Sequence, residues 1–166
     1  STNWVYKNLN KENMVILDCS WHMKDECRDA KKEFLNSHIK KSYFFDIDKI
    51  SKKNHRFPHT MPTKNEFIKG ISNFGIKNES KIILYDSKGI FSSPRVWITF
   101  KYFGHNNVFI MNGGLKKWIK EKKPLTKKIS SNKKSVFKST ISKEWITNYK
   151  NILNNINNKN TVILDA

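Results

Sequence analysis

The chain has 166 residues, a usual length for one globular domain and enough for a sizeable hydrophobic core. Hydrophobic residues make up 37% and aromatic residues 13% of it, which excludes an intrinsically disordered chain. The formal net charge of +18 would attract polyanions. Nearly all of that excess is Lys scattered among many Asn, so we expect no specific nucleic-acid partner.

The sequence carries no sign of a secretion signal or a membrane anchor. It does not begin with a charged segment followed by an apolar one, and no apolar run approaches the length of a membrane span. Cys19 and Cys27 are too few for a disulfide framework and are not spaced as a metal-binding pair. We therefore expect a cytoplasmic protein with no metal, no cofactor and no membrane partner.

The first part of the sequence alternates between helical and strand patterns. A short helix around Trp4 is followed by an apolar strand that ends at Asp18. Residues 29–36 then favour a polar helix and residues 43–45 a strand, before a loop with several Asp, His and Pro. A helix with an apolar face begins at Thr63. This alternation is typical of an α/β domain.

The clearest pattern lies in residues 81–118, where strand and helix follow each other twice. Residues 82–85 form an unbroken apolar run, which predicts a strand buried on both faces and ended by Asp86. Ser93 and Pro94 predict the N-cap and the first position of a helix. We therefore predict an α/β fold with a parallel sheet of about five strands and helices on both faces.

The loop after Asp86 is the first place to look for chemistry, because α/β sheets bind ligands beyond the carboxyl ends of their strands. A Cys here, followed five residues later by an Arg, would mark a loop whose amides stabilise a thiolate. The strand ends in Asp86 instead, and no Cys occurs after Cys27.

The sequence also contains an internal repeat. SKEWI at 142–146 corresponds to STNWV at 1–5, and NNKNTVILDA at 157–166 corresponds to NKENMVILDC at 10–19. Each copy predicts a Ser N-cap, a short helix with Trp, a turn and a strand that ends in Asp.

The repeat suggests how the chain is divided. We expect a first domain at residues 1–125 and a Lys/Ser-rich linker at 126–141. Residues 142–166 would then be the start of a second domain that stops after its first strand.

Four segments resemble one protein family: SWHM, RDAKKEFLNSHIKKSYFFDID, HTMP and ILYDSKGIFSSPRVWITFKYFGHNNVFIMNGGLKKW. Over residues 12–125 the sequence resembles, in one register, the N-terminal domain of the two-domain rhodaneses, and among these the mercaptopyruvate sulfurtransferases. The resemblance implies two rhodanese-like domains facing each other across a cleft, with a catalytic Cys on the second. Asp86 stands where the second domain would carry that Cys, so Asp86, Ser87, Lys88 and Gly89 would form a degenerate active-site loop.

The family implies a specific chemistry. A thiolate takes sulfur from 3-mercaptopyruvate as a persulfide, pyruvate leaves as its enolate, and the sulfur passes to cyanide or to a thiol such as thioredoxin. A Ser-His-Asp relay is assigned to the proton transfer, and the matching residues here are Asp48 and His59, with the Ser on the second domain. Thiosulfate-preferring relatives usually lack this His, so His59 favours mercaptopyruvate as donor.

The resemblance also places Trp21, Phe91 and Arg95 at the cleft. Arg95 would lie on the first turn of a helix, where a cation opposes the helix dipole, so a carboxylate of the substrate, of the second domain or of Asp86 should compensate it. Each assignment has a structural alternative: His59 as a surface histidine, and the two aromatic residues as part of the core.

Two alternatives to the function remain open at this stage. One is a thiosulfate sulfurtransferase with the same fold and a different donor. The other is a non-enzymatic rhodanese-like module that binds a partner through the Asp86 loop. By itself the chain should be inactive, because the second copy's active-site loop would lie well past Ala166. Cys19 is expected to be an ordinary thiol rather than a nucleophile.

Overall fold

A computed structural model gives the fold and describes residues 1–131, 134–156, 158 and 161–164. In chain order the helices and strands are α1 (Thr2–Asn8), β1 (Met14–Asp18), α2 (Ala30–Asn36), β2 (His38–Ile39), β3 (Ser42–Phe44), α3 (Lys64–Ile71), β4 (Lys81–Tyr85), α4 (Ser93–Tyr102), β5 (Val108–Ile110), α5 (Gly114–Lys120), β6 (Leu125–Thr126) and α6 (Tyr149–Asn155). Short 3-10 helices lie at Lys24–Glu26, Ser72–Phe74 and Lys143–Trp145.

Four parallel strands form the central sheet in the order β3-β1-β4-β5. β1 and β4 lie in its middle and are covered on both faces, which accounts for their unbroken apolar sequences. The predicted α/β class and parallel sheet are confirmed, and the sheet has four strands in the described residues where about five were predicted. β2 does not join the sheet, because the chain after α5 returns and pairs β6 with it in antiparallel fashion.

Helices pack on both faces of the sheet, as predicted. On one face α3 and α4 bury Phe67 and Phe100 against β1, β4 and β5. On the other face α1 and α5 bury Val5 and Trp118. The core is therefore two apolar layers separated by the sheet, and the polar ends of the strands are left to build a site.

The start of α4 differs from the prediction by one residue. The helix begins at Ser93 rather than after it, and Pro94 lies in its first turn. The hydroxyl of Ser93 is not free to cap the helix, because it donates a hydrogen bond to Asp86 Oδ2 at 2.6 Å. The helix that was predicted to begin at Thr63 begins at Lys64, with Thr63 as its N-cap in a capping box with Glu66.

The segment 134–145, here called the strap, lies along the first domain instead of extending into solvent. Phe137 is only 4% exposed and packs on Phe67 within the core. The Ser139 hydroxyl donates to the Phe103 carbonyl at 3.1 Å, and the Trp145 ring lies edge-on to another Trp on α4. Much of the predicted linker therefore packs as part of the folded domain.

The second copy of the repeat is only partly regular. Trp145 lies in a 3-10 turn rather than an α-helix, and α6 follows with Asn148 as its N-cap. Residues 161–164 are exposed and form no strand. The rest of the predicted strand, including Asp165 and Ala166, lies outside the described residues. No helix in the described part of the chain is both long and apolar enough to cross a membrane.

Candidate active site

Asp86 directly follows β4, and its carboxylate lies at the centre of the loop after that strand. Oδ1 accepts from the backbone N–H groups of Lys88 (3.0 Å) and Gly89 (2.9 Å). Oδ2 accepts from the N–H of Phe91 (2.9 Å) and from both the N–H and the hydroxyl of Ser93. Burial would raise the pKa of Asp86, but these donors outweigh it and hold that pKa below its usual value.

This arrangement is an anion-binding loop whose anion is its own carboxylate. Successive backbone N–H groups aimed at one point, at the start of a helix, are what stabilises an anion in such loops. Gly114 lets the neighbouring chain approach, because a Cβ there would lie 2.5 Å from the Gly89 carbonyl and 2.6 Å from that of Asp86. The loop therefore has the donors of an anion-binding loop but holds no free nucleophile.

The tip of the loop carries an exposed aromatic side chain, Phe91, with the Lys88 ammonium over its ring. Phe91 is 48% exposed, and the Lys88 ammonium lies 4.1 Å from its ring centre. Lys88 also forms an ion pair with Glu26 at 2.5 Å. The Ser87 N–H donates to Ser20 Oγ at 2.9 Å, which anchors the loop to the segment after β1.

Asp48 and His59 meet beyond the end of β3. His59 Nε2 lies 2.6 Å from Asp48 Oδ1, and the Trp21 indole N–H donates to the same oxygen at 3.3 Å. The Trp21 and His59 rings are edge-to-face with centroids 4.9 Å apart. An ionised carboxylate can only accept, so Nε2 carries the proton of this bond and Nδ1 of the neutral ring is left as an acceptor.

The chain after β3 explains why Asp48 faces outward. Phe45 and Ile47 alternate into the core, so the residues between and after them point away from it. Asp46 accepts from the Lys49 N–H at 3.1 Å and pairs with the Lys49 ammonium at 3.5 Å, and both contacts close a local turn. Asp48 has no such local partner and is left to pair with His59, whose side chain stays 30% exposed.

In the described part of the chain, Arg95 forms no ion pair with Asp86 or with Asp48. Its Nη2 donates to the His59 carbonyl oxygen at 2.7 Å and its Nη1 to Thr99 Oγ1 at 3.0 Å. The salt bridge to Asp86 weighed from the sequence is therefore not formed. Burial without a compensating carboxylate lowers the pKa of Arg95.

A second buried acid was missed by the sequence reasoning. Asp18, the last residue of β1, accepts from the N–H of Ser20 at 2.9 Å and from its hydroxyl. Burial dominates and raises the pKa of Asp18 to about 6. The sequence signal that could have indicated this buried acid is an Asp at the end of an apolar strand, followed two positions later by Ser. Cys19 beside it is fully buried, and burial raises the pKa of its thiol, as expected for an unreactive cysteine.

The predicted residues fall into two groups at the carboxyl edge of the sheet. Asp48, His59 and Trp21 contact one another, and the Asp86 loop with Phe91 forms the second group. Arg95 is the link, because it lies in the first turn of the helix after the loop and donates to the His59 carbonyl of the first group. Within the described residues no cluster of three or more His, Cys, Asp or Glu could hold a metal ion.

Comparison with known proteins gives a consistent family. The rhodanese-like domain matches residues 1–121. The mitochondrial thiosulfate/3-mercaptopyruvate sulfurtransferase 1 of Arabidopsis thaliana is 43% identical over 71% of this chain and 31% of its own length. The thiosulfate sulfurtransferase of Bos taurus is 31% identical over the whole chain and 58% of its own length.

Solved structures agree with this result. SseA of Escherichia coli, described as a 3-mercaptopyruvate sulfotransferase, superposes with a TM-score of 0.87 at 26% identity over 93% of this chain and 59% of its own. The Tum1 protein of Saccharomyces cerevisiae gives 0.81 at 30% identity over 93% of this chain and 54% of its own. The chain thus spans between about a third and three-fifths of the length of these relatives. A family match over most of the chain, together with the same fold, shows that the chain belongs to the rhodanese family.

Proposed function

We propose that the chain supplies one wall and the proton relay of a sulfurtransferase active site whose nucleophilic Cys lies on a second rhodanese domain. The observation that carries the proposal is the 2.6 Å contact between His59 and Asp48 at the carboxyl edge, beside a loop already filled by Asp86. The group of Asp48, His59 and Trp21 can move a proton, whereas the Asp86 loop cannot supply a thiolate. The Arabidopsis and bovine relatives are named as sulfurtransferases, which supports the same class of reaction here.

In the proposed reaction a cysteine thiolate attacks the sulfur of 3-mercaptopyruvate. The S–S bond forms as the C–S bond breaks, and the electron pair of the broken bond leaves with carbon as the enolate of pyruvate. The thiol hydrogen stays on the transferred sulfur, so the enzyme holds a persulfide, and the enolate takes one proton to become pyruvate. Attack of cyanide or of an acceptor thiolate on the outer sulfur then yields thiocyanate or a new persulfide and restores the cysteine thiolate.

His59 and Asp48 are suited to the proton step. Asp48 fixes the ring with the proton on Nε2, so Nδ1 faces away from Asp48 and can exchange a proton with a hydroxyl of the second domain. The partial exposure of His59 keeps that nitrogen accessible. Trp21 packs against the ring and limits its rotation.

Thiosulfate transfer is the second candidate function. The bovine relative carries that name and aligns over the whole chain. Thiosulfate releases sulfite, which leaves as a stable anion and needs no proton, so a relay would add nothing to that reaction. The presence of the Asp48 and His59 contact therefore favours mercaptopyruvate.

The experiment compares both donors in a protein that joins this chain to its cysteine-bearing domain, hereafter the two-domain protein. His59→Gln should lower pyruvate release from 3-mercaptopyruvate by about 100-fold, since general acid catalysis contributes that order. Transfer from thiosulfate to cyanide should be unchanged. The matched control is His55→Gln, an exposed histidine of the same loop that does not contact Asp48.

Three results would contradict the proposal in different ways. Equal loss with both donors would show that His59 is structural. No loss with either would favour the thiosulfate enzyme, and no turnover at all in the wild type would favour a non-enzymatic binding module. The chain alone should release no pyruvate, and activity abolished by Cys19→Ser would place the nucleophile in this domain instead.

A further inference from the structure

Arg95 is a cation in an unfavourable place. It lies in the first turn of α4, where the helix dipole disfavours positive charge, and its guanidinium is half-buried. Its hydrogen-bond partners in the described part of the chain are all uncharged. Desolvating a charge without a counter-ion opposes folding, so the place of the guanidinium has to be explained by the groups to which it donates.

The guanidinium holds the backbone of His59. Nη2 donates to the His59 carbonyl oxygen at 2.7 Å, while Nη1 donates to Thr99 Oγ1 at 3.0 Å and lies 3.7 Å from Met61 Sδ. Thr99 in turn donates to the Arg95 carbonyl at 2.7 Å. The planar guanidinium is therefore held by Thr99 of its own helix as well as by the His59 carbonyl.

His59 needs such support because its backbone is strained. Its φ angle of 53° lies in the left-handed region, which residues with a Cβ rarely adopt. The direction of the ring depends on that backbone conformation, and in this conformation Nε2 reaches Asp48 Oδ1. Asp48 and Trp21 hold the ring, and Arg95 holds the main chain.

We propose that Arg95 is a positioning residue whose bond to the His59 carbonyl keeps His59 in the left-handed conformation that joins it to Asp48. The same bond ties the relay to the Asp86 loop, because Arg95 lies just after that loop. The role of the relay in catalysis rests on the proposed function, whereas the geometry of His59 can be tested without it.

The first test measures the ring ¹H and ¹⁵N resonances of His59 in this chain, assigned by their absence in His59→Gln. Arg95→Met keeps the length of the side chain and removes its donors. The His59 resonances should move, since the ring loses the Asp48 bond and the ring-current effect of Trp21. The matched control, Lys101→Met on the same helix, should leave them in place, because the Lys101 ammonium donates to Asn106 and not to His59. Unchanged resonances in Arg95→Met would overturn the proposal.

A second variant keeps the test decisive if Arg95→Met does not fold. Thr99→Val removes one acceptor of the guanidinium and leaves the charge in place. The His59 resonances should move in the same direction by a smaller amount. A folded Thr99→Val chain with wild-type His59 resonances would contradict the proposed role.

The third test is kinetic and uses the two-domain protein. Arg95→Met should lower kcat for 3-mercaptopyruvate about tenfold with little change in KM, and should leave thiosulfate transfer unchanged. Equal loss with both donors would mean a merely structural role and would overturn the proposal. If the wild type does not turn over 3-mercaptopyruvate, the proposed function fails, while the resonances of His59 still decide whether Arg95 positions it.

Discussion

At the scale of single residues, Asp86 decides what its loop can do. Five donors converge on its two oxygens, and no backbone N–H among them is left for an external anion. A cysteine in this place would be smaller, and its thiolate would use the same donors. Asp86 therefore stabilises the loop and at the same time prevents it from acting as a nucleophilic or anion-binding site.

The variant Asp86→Asn tests this interpretation. Each carboxylate oxygen faces at least two donors, so either orientation of the amide turns its NH₂ group towards N–H groups. We expect the free energy of unfolding to fall by about 2–3 kcal/mol, the cost of buried donors left unpaired. Asp46→Asn is the control, because Asp46 accepts from one backbone N–H in a turn, and it should cost less than about 1 kcal/mol. Equal effects in urea unfolding would contradict the assigned role of Asp86.

Asp18 makes the stability of the fold depend on pH, because its pKa is raised whereas the pKa of Asp86 is lowered. Burial raises its pKa from 3.8 to about 6, so the folded state favours the protonated carboxyl. The stability from this group is complete below about pH 4 and is lost as the pH rises through 6. The loss corresponds to about 3 kcal/mol at 1.36 kcal/mol per pKa unit. In urea titrations between pH 4.5 and 7.5, Asp18→Asn should remove most of the decline in stability seen in the wild type, and a parallel decline in both proteins would count against this account.

At the scale of elements, the sequence predicted what depends on local pattern. β1 and β4 were predictable because strands buried on both faces are continuous apolar runs, and α3 because its cap and apolar face lie within one segment. The pairing of β2 with β6 was not predictable, because each strand has two residues and they are far apart in the chain. The burial of Phe137 was missed for a similar reason, since it stands alone in a polar, Lys-rich segment.

The same distinction between local sequence patterns and contacts of distant residues applies to the candidate site. Asp48 and His59 were predicted from the family motif, and the structure brings them into contact. The bond from Arg95 to His59 was not predictable, because its acceptor is a main-chain carbonyl 36 positions away and carries no sequence signal. The hydrogen bonds that fill the Asp86 loop likewise use mostly backbone N–H groups, which every residue type except proline supplies.

The strap offers a test at this scale. Phe137 fills the space between Phe67 and His105 in the core of the first domain. Phe137→Ala should therefore lower the free energy of unfolding by about 3–4 kcal/mol, as for other buried Phe. Its neighbour Val136 is 83% exposed, so Val136→Ala is the control and should change stability by less than about 0.5 kcal/mol. Similar values for the two variants would mean that the strap is not part of the cooperative unit.

At the scale of the whole molecule, the net charge of +18 bears on stability. The sequence has 32 Lys and Arg against 14 Asp and Glu. Ion pairs such as those of Arg28 with Glu33 and of Lys32 with Asp29 are exposed on both sides and contribute little, so repulsion between cations opposes the compact state. Salt screens such repulsion over a Debye length of about 10 Å at 0.1 M.

Thermal unfolding in NaCl tests this effect. The Tm should rise by several degrees between about 0.02 and 0.2 M NaCl and then change little, because the Debye length falls below the spacing of the surface charges. Choline chloride should give the same curve, since screening depends on ionic strength rather than on the identity of the cation. A Tm that rises linearly to 1 M, or that differs between the two salts, would point to specific ion effects, and a constant Tm would show that the scattered lysines are too far apart to repel one another.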